Sequence, residues 1–296
     1  MWLKRTLIAI GLLASSFNLA ASSNYKPFVL ADTLTGSLDE VTTQVTTKLK
    51  SAGFEIVGQY SPYIDGSARI IGITNTDLKA AAQAAKHSQG GFGAVLRVAI
   101  TDNKGTIEVS YVNPPYIGYA YHLGDMGEIE KTLETTLGNM DSFGSAKGLS
   151  KKSLDEYHYA WLMPYFKDSK VVAKFASHEA AVAALDKAIG HPDSDMSTLW
   201  KVRIAEDQIV YGVDLNKGWW KDKMKNIMGK LDVTSPKATA ALPWEMLISG
   251  NEIIYLPGKF RIAMMFPDTS MGQFMTIKDV PDQMDKSALE LGTLGQ

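Results

Sequence analysis

The chain has no cysteine among its 296 residues. That absence excludes disulfides, thiolate metal sites, c-type haem attachment and a cysteine nucleophile. It also removes the residue by which an exported lipoprotein is anchored, and it suits an oxidising compartment, where a stray thiol is a liability. Positive charge is not in excess either: Lys+Arg number 30 against Asp+Glu 32, a formal net charge of -2. A nucleic-acid partner is therefore not expected, because such proteins carry a basic excess or stripe. Lys147, Lys151 and Lys152 form the densest basic cluster, in a Gly/Ser-rich stretch that reads as a solvated linker. Beyond the N-terminus no run approaches the roughly 18 consecutive apolar residues of a membrane span, so no stable membrane insertion is expected once that segment is cleaved. The chain also lacks H-E-x-x-H, G-x-S-x-G, Walker A and a G-x-G-x-x-G that opens a helix. No cofactor is expected, and catalysis is the less favoured reading.

What is present begins with an export signal. Lys4 and Arg5 form a positive start, Thr6 to Ala14 are nearly all apolar, and Ala20, Ala21, Ser22 and Ser23 offer small residues for cleavage. Residues 1–23 are read as a cleavable signal peptide of a bacterial type. The expected location is the periplasm, with the protein free rather than lipid-anchored.

The rest divides into a first α+β unit at 24–140, a linker and aromatic connector at 141–168, and a second, divergent α+β unit at 169–296. Ser37 and Glu40 make a capping box ahead of Leu38, Val41, Val45 and Leu49 at helical spacing. Phe54 to Tyr60 and Ala68 to Thr74 read as strands, Asn75 or Thr76 as the cap of a helix over 76–87, and 94–112 as a hairpin. Tyr116 to His122 is predicted as a strand and 125–137 as a helix. In the second unit, strands are predicted at 171–175, 199–204, 208–215, 242–248, 252–256 and 260–266, with helices at 178–189 and 217–228 and a less regular tail from Asp268. Two stretches align loosely across the units: RIIGITNTDLKAA at 69–81 with QIVYGVDLNKGWW at 208–220, and AVLRVAITDNKGTIEVSYVNPP at 94–115 with LPWEMLISGNEIIYLPG at 242–258. The pattern reads as an internal duplication.

Gly53-Phe54 after the opening helix, Ile73-Thr74-Asn75 at the strand-to-helix turn, Asn113-Pro114 after the hairpin and Leu242-Pro243 at the second hairpin entry carry a resemblance. They resemble the bacterial and archaeal family catalogued as "domain of unknown function 302". Where that family often has Cys-Asn-Pro, this chain has Thr74-Asn75-Thr76, so no role tied to that Cys or Pro carries over. In the first unit Phe92-Gly93 replaces the Leu-Pro. The resemblance implies two tandem repeats, each like the TATA-binding protein: a curved antiparallel sheet with helices on one face. It does not imply DNA binding, since fold does not fix function.

No two of the five histidines, His87, His122, His158, His178 and His191, lie at metal-ligand helical spacing. Met264, Met265, Met271 and Met275 read as core filler rather than a copper site. The unusual feature is tyrosine: nine of the twelve lie between Tyr60 and Tyr165. Tyrosine pairs an apolar ring with a polar tip and suits both clefts and interfaces. Tyr60, Tyr63, Tyr111, Tyr119, Tyr121 and His122 are the candidate ligand-binding residues, with a sealed interface between the units as the competing reading. In the connector, Tyr157, Tyr159, Trp161 and Tyr165 add to the cluster. The function this favours is binding of a small, partly apolar ligand or an envelope partner protein. A hydrolase or isomerase using Tyr/His acid–base groups, with His122 beside Tyr60 or Tyr119, and an envelope structural module are the alternatives.

Overall fold

Ser37 opens the first long helix as expected. Its hydroxyl accepts from the Glu40 backbone N–H while the Glu40 carboxylate accepts from the Ser37 backbone N–H, closing the capping box. The computed structural model describes residues 24–157 and 164–295. The expected signal at 1–23, and His158, Tyr159 and Trp161 of the connector, lie outside the described residues.

The elements run β1 (Asn24–Tyr25), β2 (Phe28–Leu34), α1 (Leu38–Ser51), β3 (Glu55–Tyr60), β4 (Ala68–Thr74), α2 (Thr76–Gln83), β5 (Leu96–Asn103), β6 (Thr106–Val112), α3 (Pro114–Ala120), α4 (Gly127–Leu137), β7 (Asp141–Phe143), β8 (Leu149–Ser150) and α5 (Lys151–Asp155). They continue as β9 (Lys170–Lys174), α6 (His178–Gly190), β10 (Met196–Ala205), β11 (Gln208–Leu215), α7 (Met224–Leu231), β12 (Trp244–Ser249), β13 (Glu252–Tyr255), α8 (Gly258–Met265), α9 (Met271–Thr276) and α10 (Asp279–Leu294). The protein is mixed α+β with antiparallel sheets. One sheet has the order β3-β4-β5-β6-β2-β7, the other β10-β11-β12-β13-β9, and β1 pairs with β8. In each half the first strand is followed by a helix (α1, α6) and lies beside the last strand of the main hairpin. Helices α1 and α4 pack on each other beside the first sheet, and α6 and α10 do so beside the second. Among the described residues no helix is long and apolar enough to cross a membrane.

Several expectations need correction. Tyr116 to His122 is not a strand: Pro114 and Pro115 occupy the first helical positions of α3, where a missing N–H and a fixed φ favour a helix start. Phe260 to Phe266 is likewise the helix α8, opening directly after Pro257. All seven residues of α3 are buried, so no alternation was there to separate a strand from a helix. The 217–228 segment is a 3-10 turn, Gly218–Trp220, and then α7. The stretch read as a linker is woven in, with β7 pairing with β2 and β8 with β1. The tail holds α9 and the 16-residue α10.

Candidate functional site

The two sheets meet through two rows of residues that face each other. Cross-strand partners project from the same face of a sheet. In the first sheet the row is Gly58, Gly72, Arg97, by the pairings Gly58 with Gly72 and Gly72 with Arg97. In the second it is Trp200, Gly212, Glu245. The Trp200 indole lies over Gly212 of its own sheet and reaches the glycines of the other. A Cβ on Gly212 would sit 2.1 Å from Trp200 Cε2, and one on Gly72 would sit 3.0 Å from the same ring. A Cβ on Gly58 would stand 2.7 Å from the Leu199 carbonyl oxygen. Glycine inside a strand marks such a close approach. Contacts elsewhere are reciprocal: the 3-10 turn Ser88–Gly93 before β5 packs on β12, and the 3-10 turn Thr239–Ala241 before β12 packs on β5.

Beside the indole lies a buried ionic cluster that the sequence did not announce. Arg97, Glu245 and Arg261 are 0%, 1% and 4% exposed. Arg97 Nη1 is 3.2 Å from Glu245 Oε1, and Arg261 Nη2 is 3.5 Å from Glu245 Oε2. Arg261 Nη2 also donates to the carbonyls of Ala241 at 3.2 Å and Pro243 at 3.1 Å. Arg97 donates through Nε to the Ala240 carbonyl at 3.4 Å and through Nη1 to that of Val95 at 3.3 Å. Arg97 Nη2 is buried with no hydrogen-bond partner among the described residues, while the Arg261 guanidinium hydrogen-bonds with Tyr121 and its Nη2 stands against Glu245 Oε2. Burial holds the Arg97 guanidinium below the usual arginine range, against the pull of Glu245. Two guanidinium groups thus share one carboxylate.

Arg261 also lines a narrow cavity of about 60 Å³ in the second half. One water needs roughly 15 Å³ on this measure, so the space exceeds a single solvent molecule. The wall is mainly apolar, built by Val213 and Leu215 of β11, Ile227 of α7, Trp220, Trp244 and Phe266, with Tyr60 reaching in from the first half. Four methionines complete it: Met224, Met228, Met265 and Met284. Trp220 is fixed by its Nε1–H, which donates to Ser287 Oγ at 3.0 Å; the Ser287 hydroxyl donates in turn to Asp195 at 2.7 Å. Asp214, Leu215, Trp220 and Met224 line both this cavity and a surface cleft of about 260 Å³.

Asp214 is the titratable acid of the wall. Burial pushes its carboxyl up to about 6, opposed by the hydrogen bond from Asn216. Because the folded value lies above the ordinary 3.8, the folded state holds this proton more tightly than the unfolded chain. Stability is therefore lost as pH rises from near 4 through about 6, by about 2–3 kcal/mol once ionisation is complete. Asp214→Asn is expected to raise the unfolding midpoint at about pH 7.5 and to confer no advantage at about pH 3.5, where both states carry the proton. Urea titrations at the two pH values check this, and an equal effect at both would refute the assignment.

The six candidate residues are not one cluster. Tyr60 lines the cavity, and Tyr63 lines the adjoining cleft, with Lys225 Nζ 5.8 Å from its ring centroid. Burial raises both phenols far above the ordinary tyrosine range. Tyr121 lies at the ionic cluster, its ring stacked on Phe166 at 4.7 Å. Tyr111 is buried in β6 and donates to the Gly138 carbonyl at 3.2 Å. Tyr119 packs against Tyr25 at 5.0 Å. His122, at a positive φ of 59°, bonds through Nε2 with the Asp155 carbonyl at 2.8 Å and lies 5.3 Å from the His87 ring. Neither Tyr119 nor His122 lines the cavity among the described residues. Other tyrosines tie α8 to the first half and the connector: Tyr116 donates to the Met264 carbonyl at 2.7 Å and Tyr157 to that of Ala263 at 2.6 Å. Among the described residues no group of three or more His, Asp or Glu is placed to hold a metal ion.

Comparison with known proteins adds no relative: no protein-family model, no curated protein and no solved structure matches the chain.

Proposed function

We propose that this is an exported binding protein that takes a small, partly apolar ligand into the cavity beside Arg261. One observation carries the reading. A mainly apolar cavity holds two buried polar groups in its wall, the Arg261 guanidinium and the Asp214 carboxyl, and it shares four lining residues with a surface cleft. Apolar walls with a few polar groups are what a small-molecule site requires. Export rests on the N-terminal residues, whose pattern is that of a cleavable signal ahead of a periplasmic protein.

We also read the two halves as diverged copies of one unit, in the TATA-binding-protein-like arrangement that the family resemblance implies. The matching strand orders and the reciprocal contacts support this. On that reading Gly58 corresponds to Trp200, Gly72 to Gly212 and Arg97 to Glu245. Where one copy keeps a glycine the other supplies an indole, and where one has a cation the other has an anion. An enzyme working through His122 with Tyr60 or Tyr119 is less favoured: Tyr60 lines the cavity and His122 does not, and the Tyr119 ring packs on Tyr25 while the His122 ring bonds with the Asp155 carbonyl.

Native mass spectrometry of the protein purified from its own cells tests both parts. The expected spectrum shows a mature N-terminus between Ala21 and Asn24 and a retained small molecule, absent from a Met228→Trp variant whose indole fills the cavity. An intact Met1 form would overturn export. A bound mass unchanged in the filled variant, or none in either protein, would overturn the cavity as the binding site.

A further inference from the structure

The charge balance of the cavity and its uncommitted polar atoms together specify the occupant. We propose that the cavity takes a slim, uncharged aliphatic molecule with a hydroxyl head, the head between Tyr60 and Asp214 and the chain along the methionines. This rests on the cavity being a ligand site and goes on to name the ligand class.

The first argument is charge. The wall carries one cationic side chain, Arg261, and one acidic one, Asp214. Behind them Glu245 sits between Arg261 and Arg97. Two guanidinium groups thus stand against two carboxylates, and the sum is zero. The sum holds at about pH 7.5, because the Asp214 carboxyl, which burial pushes up to about 6, is ionised there. A ligand with a charge of either sign would add an uncompensated ion to a buried place, which is costly. A neutral head carries no such penalty.

The second argument is which polar atoms are free. The Arg261 guanidinium is committed to Glu245, to Tyr121 and to the carbonyls of Ala241 and Pro243. Two other groups of the wall are not. Asn216 donates to Asp214 Oδ2 at 2.9 Å, and Asp214 Oδ1 has no donor among the described residues. The Tyr60 hydroxyl likewise makes no hydrogen bond among the described residues. Burial raises its phenol, and the Asp214 charge raises it further, so the two groups feel each other. Buried polar groups in native proteins are almost always satisfied. A carboxylate accepts only, whereas a tyrosine hydroxyl can donate. The group that fits between them both donates and accepts, and a hydroxyl is the smallest that does so. Its O–H donates to Asp214 Oδ1 while its oxygen accepts from Tyr60 Oη.

The third argument is shape. At roughly 15 Å³ for a water-sized group, a cavity of about 60 Å³ accepts a thin chain of a few carbons and rejects fused rings. Met224, Met228, Met265 and Met284 are unbranched and can swing to lengthen the space. Asp214 also lines the adjoining cleft, which puts the head at the end nearer solvent.

1-Hexanol, hexanoate and hexylamine share a chain and differ at the head. Titration of the full chain with each at about pH 7.5, read by the methionine methyl signals in NMR, gives both affinity and place. 1-Hexanol is expected to bind at least about tenfold more tightly than either ion. It is expected to move the methyls of Met224, Met228, Met265 and Met284 and not those of the exposed Met271 and Met275. Asp214→Asn leaves the arginines in excess and is expected to bring hexanoate up to the level of 1-hexanol or beyond it. Tyr60→Phe is expected to weaken 1-hexanol by about two- to tenfold, the worth of one hydrogen bond. Hexanoate or hexylamine binding as tightly as 1-hexanol to the unaltered protein would overturn the uncharged head while leaving the cavity reading intact. Binding of none, or shifts confined to the surface methionines, would overturn both. An unchanged ratio of acid to alcohol in Asp214→Asn, or full affinity for 1-hexanol in Tyr60→Phe, would also overturn the proposal. The comparison of the three heads needs no variant, so it decides the matter even if a variant does not fold.

Discussion

Trp200→Ala is expected to lower the unfolding free energy by about 3–5 kcal/mol, the range for truncating a fully buried large aromatic side chain. The residue is 3% exposed and packs against glycines of three strands, Gly58, Gly72 and Gly212. The same geometry makes a sharper statement about pairs. In the unaltered protein Gly212→Ala would place a methyl 2.1 Å from Trp200 Cε2, which no relaxed structure tolerates, so the strand or the indole must shift. Overpacking of this kind costs about 1–3 kcal/mol. With Trp200 already replaced by alanine the clash is gone, and alanine in a strand is about 0.5–1 kcal/mol better than glycine. The two changes should therefore be strongly non-additive, with a coupling of about 1–3 kcal/mol in the favourable direction. Denaturant unfolding of the two single variants and the double variant measures it. Additivity within about 0.5 kcal/mol would mean that the indole does not rest on Gly212 in solution.

The local signals were the legible part of the sequence. Ser37 with Glu40 caps α1 as expected, and Asn75, one of the two residues expected to cap the second helix, does so, because a cap is a contact within four residues of chain. The hairpin β5–β6 followed from two apolar runs around Asn103-Lys104-Gly105. The misreadings came where burial is complete. Pro115 to Ala120 and Phe260 to Met265 are buried on every side, so neither period stands out, and the prolines ahead of them were the better guide. The sheet registers put Gly72 opposite Arg97 and Gly212 opposite Glu245, so on the proposed two-copy reading the match of 69–81 with 208–220 shifts by one and sets Gly72 against Gly212 rather than Tyr211. On that same reading the registers set Arg97 against Glu245. Sequence did carry a signal for the site, a lone charge set among inward apolar residues in Leu96-Arg97-Val98 and Trp244-Glu245-Met246. Reading it required knowing that the two strands face each other, which is a property of the assembled sheets. Tyrosine was the more visible feature and the less informative one, since among the described residues most of the rings serve packing and Tyr60 alone of them lines the cavity.

Glu245→Gln should be as damaging as the loss of Trp200, for a different reason. It leaves Arg97 and Arg261 facing a neutral amide at 0% and 4% exposure, and removing one partner of a buried ionic group costs about 3–5 kcal/mol. Desolvated charges are poorly screened, so the loss should be nearly the same at low salt and at about 1 M salt, unlike that of a surface pair. The cluster is nonetheless a weak device for stability. Replacing all three members together by apolar residues of similar volume, as in Arg97→Met with Glu245→Leu and Arg261→Met, is expected to leave the protein folded and to change its stability little or upward, because the desolvation cost disappears with the charges. Unfolding by urea at the two salt concentrations distinguishes these cases. A cost below about 1 kcal/mol for Glu245→Gln would show that water reaches the cluster and that the charges are not buried in solution. If the triple variant stays folded while the single one is badly destabilised, the ions do not earn their place by holding the sheets together. What they do provide is two guanidinium groups held on one buried carboxylate, one of them in the wall of an apolar cavity.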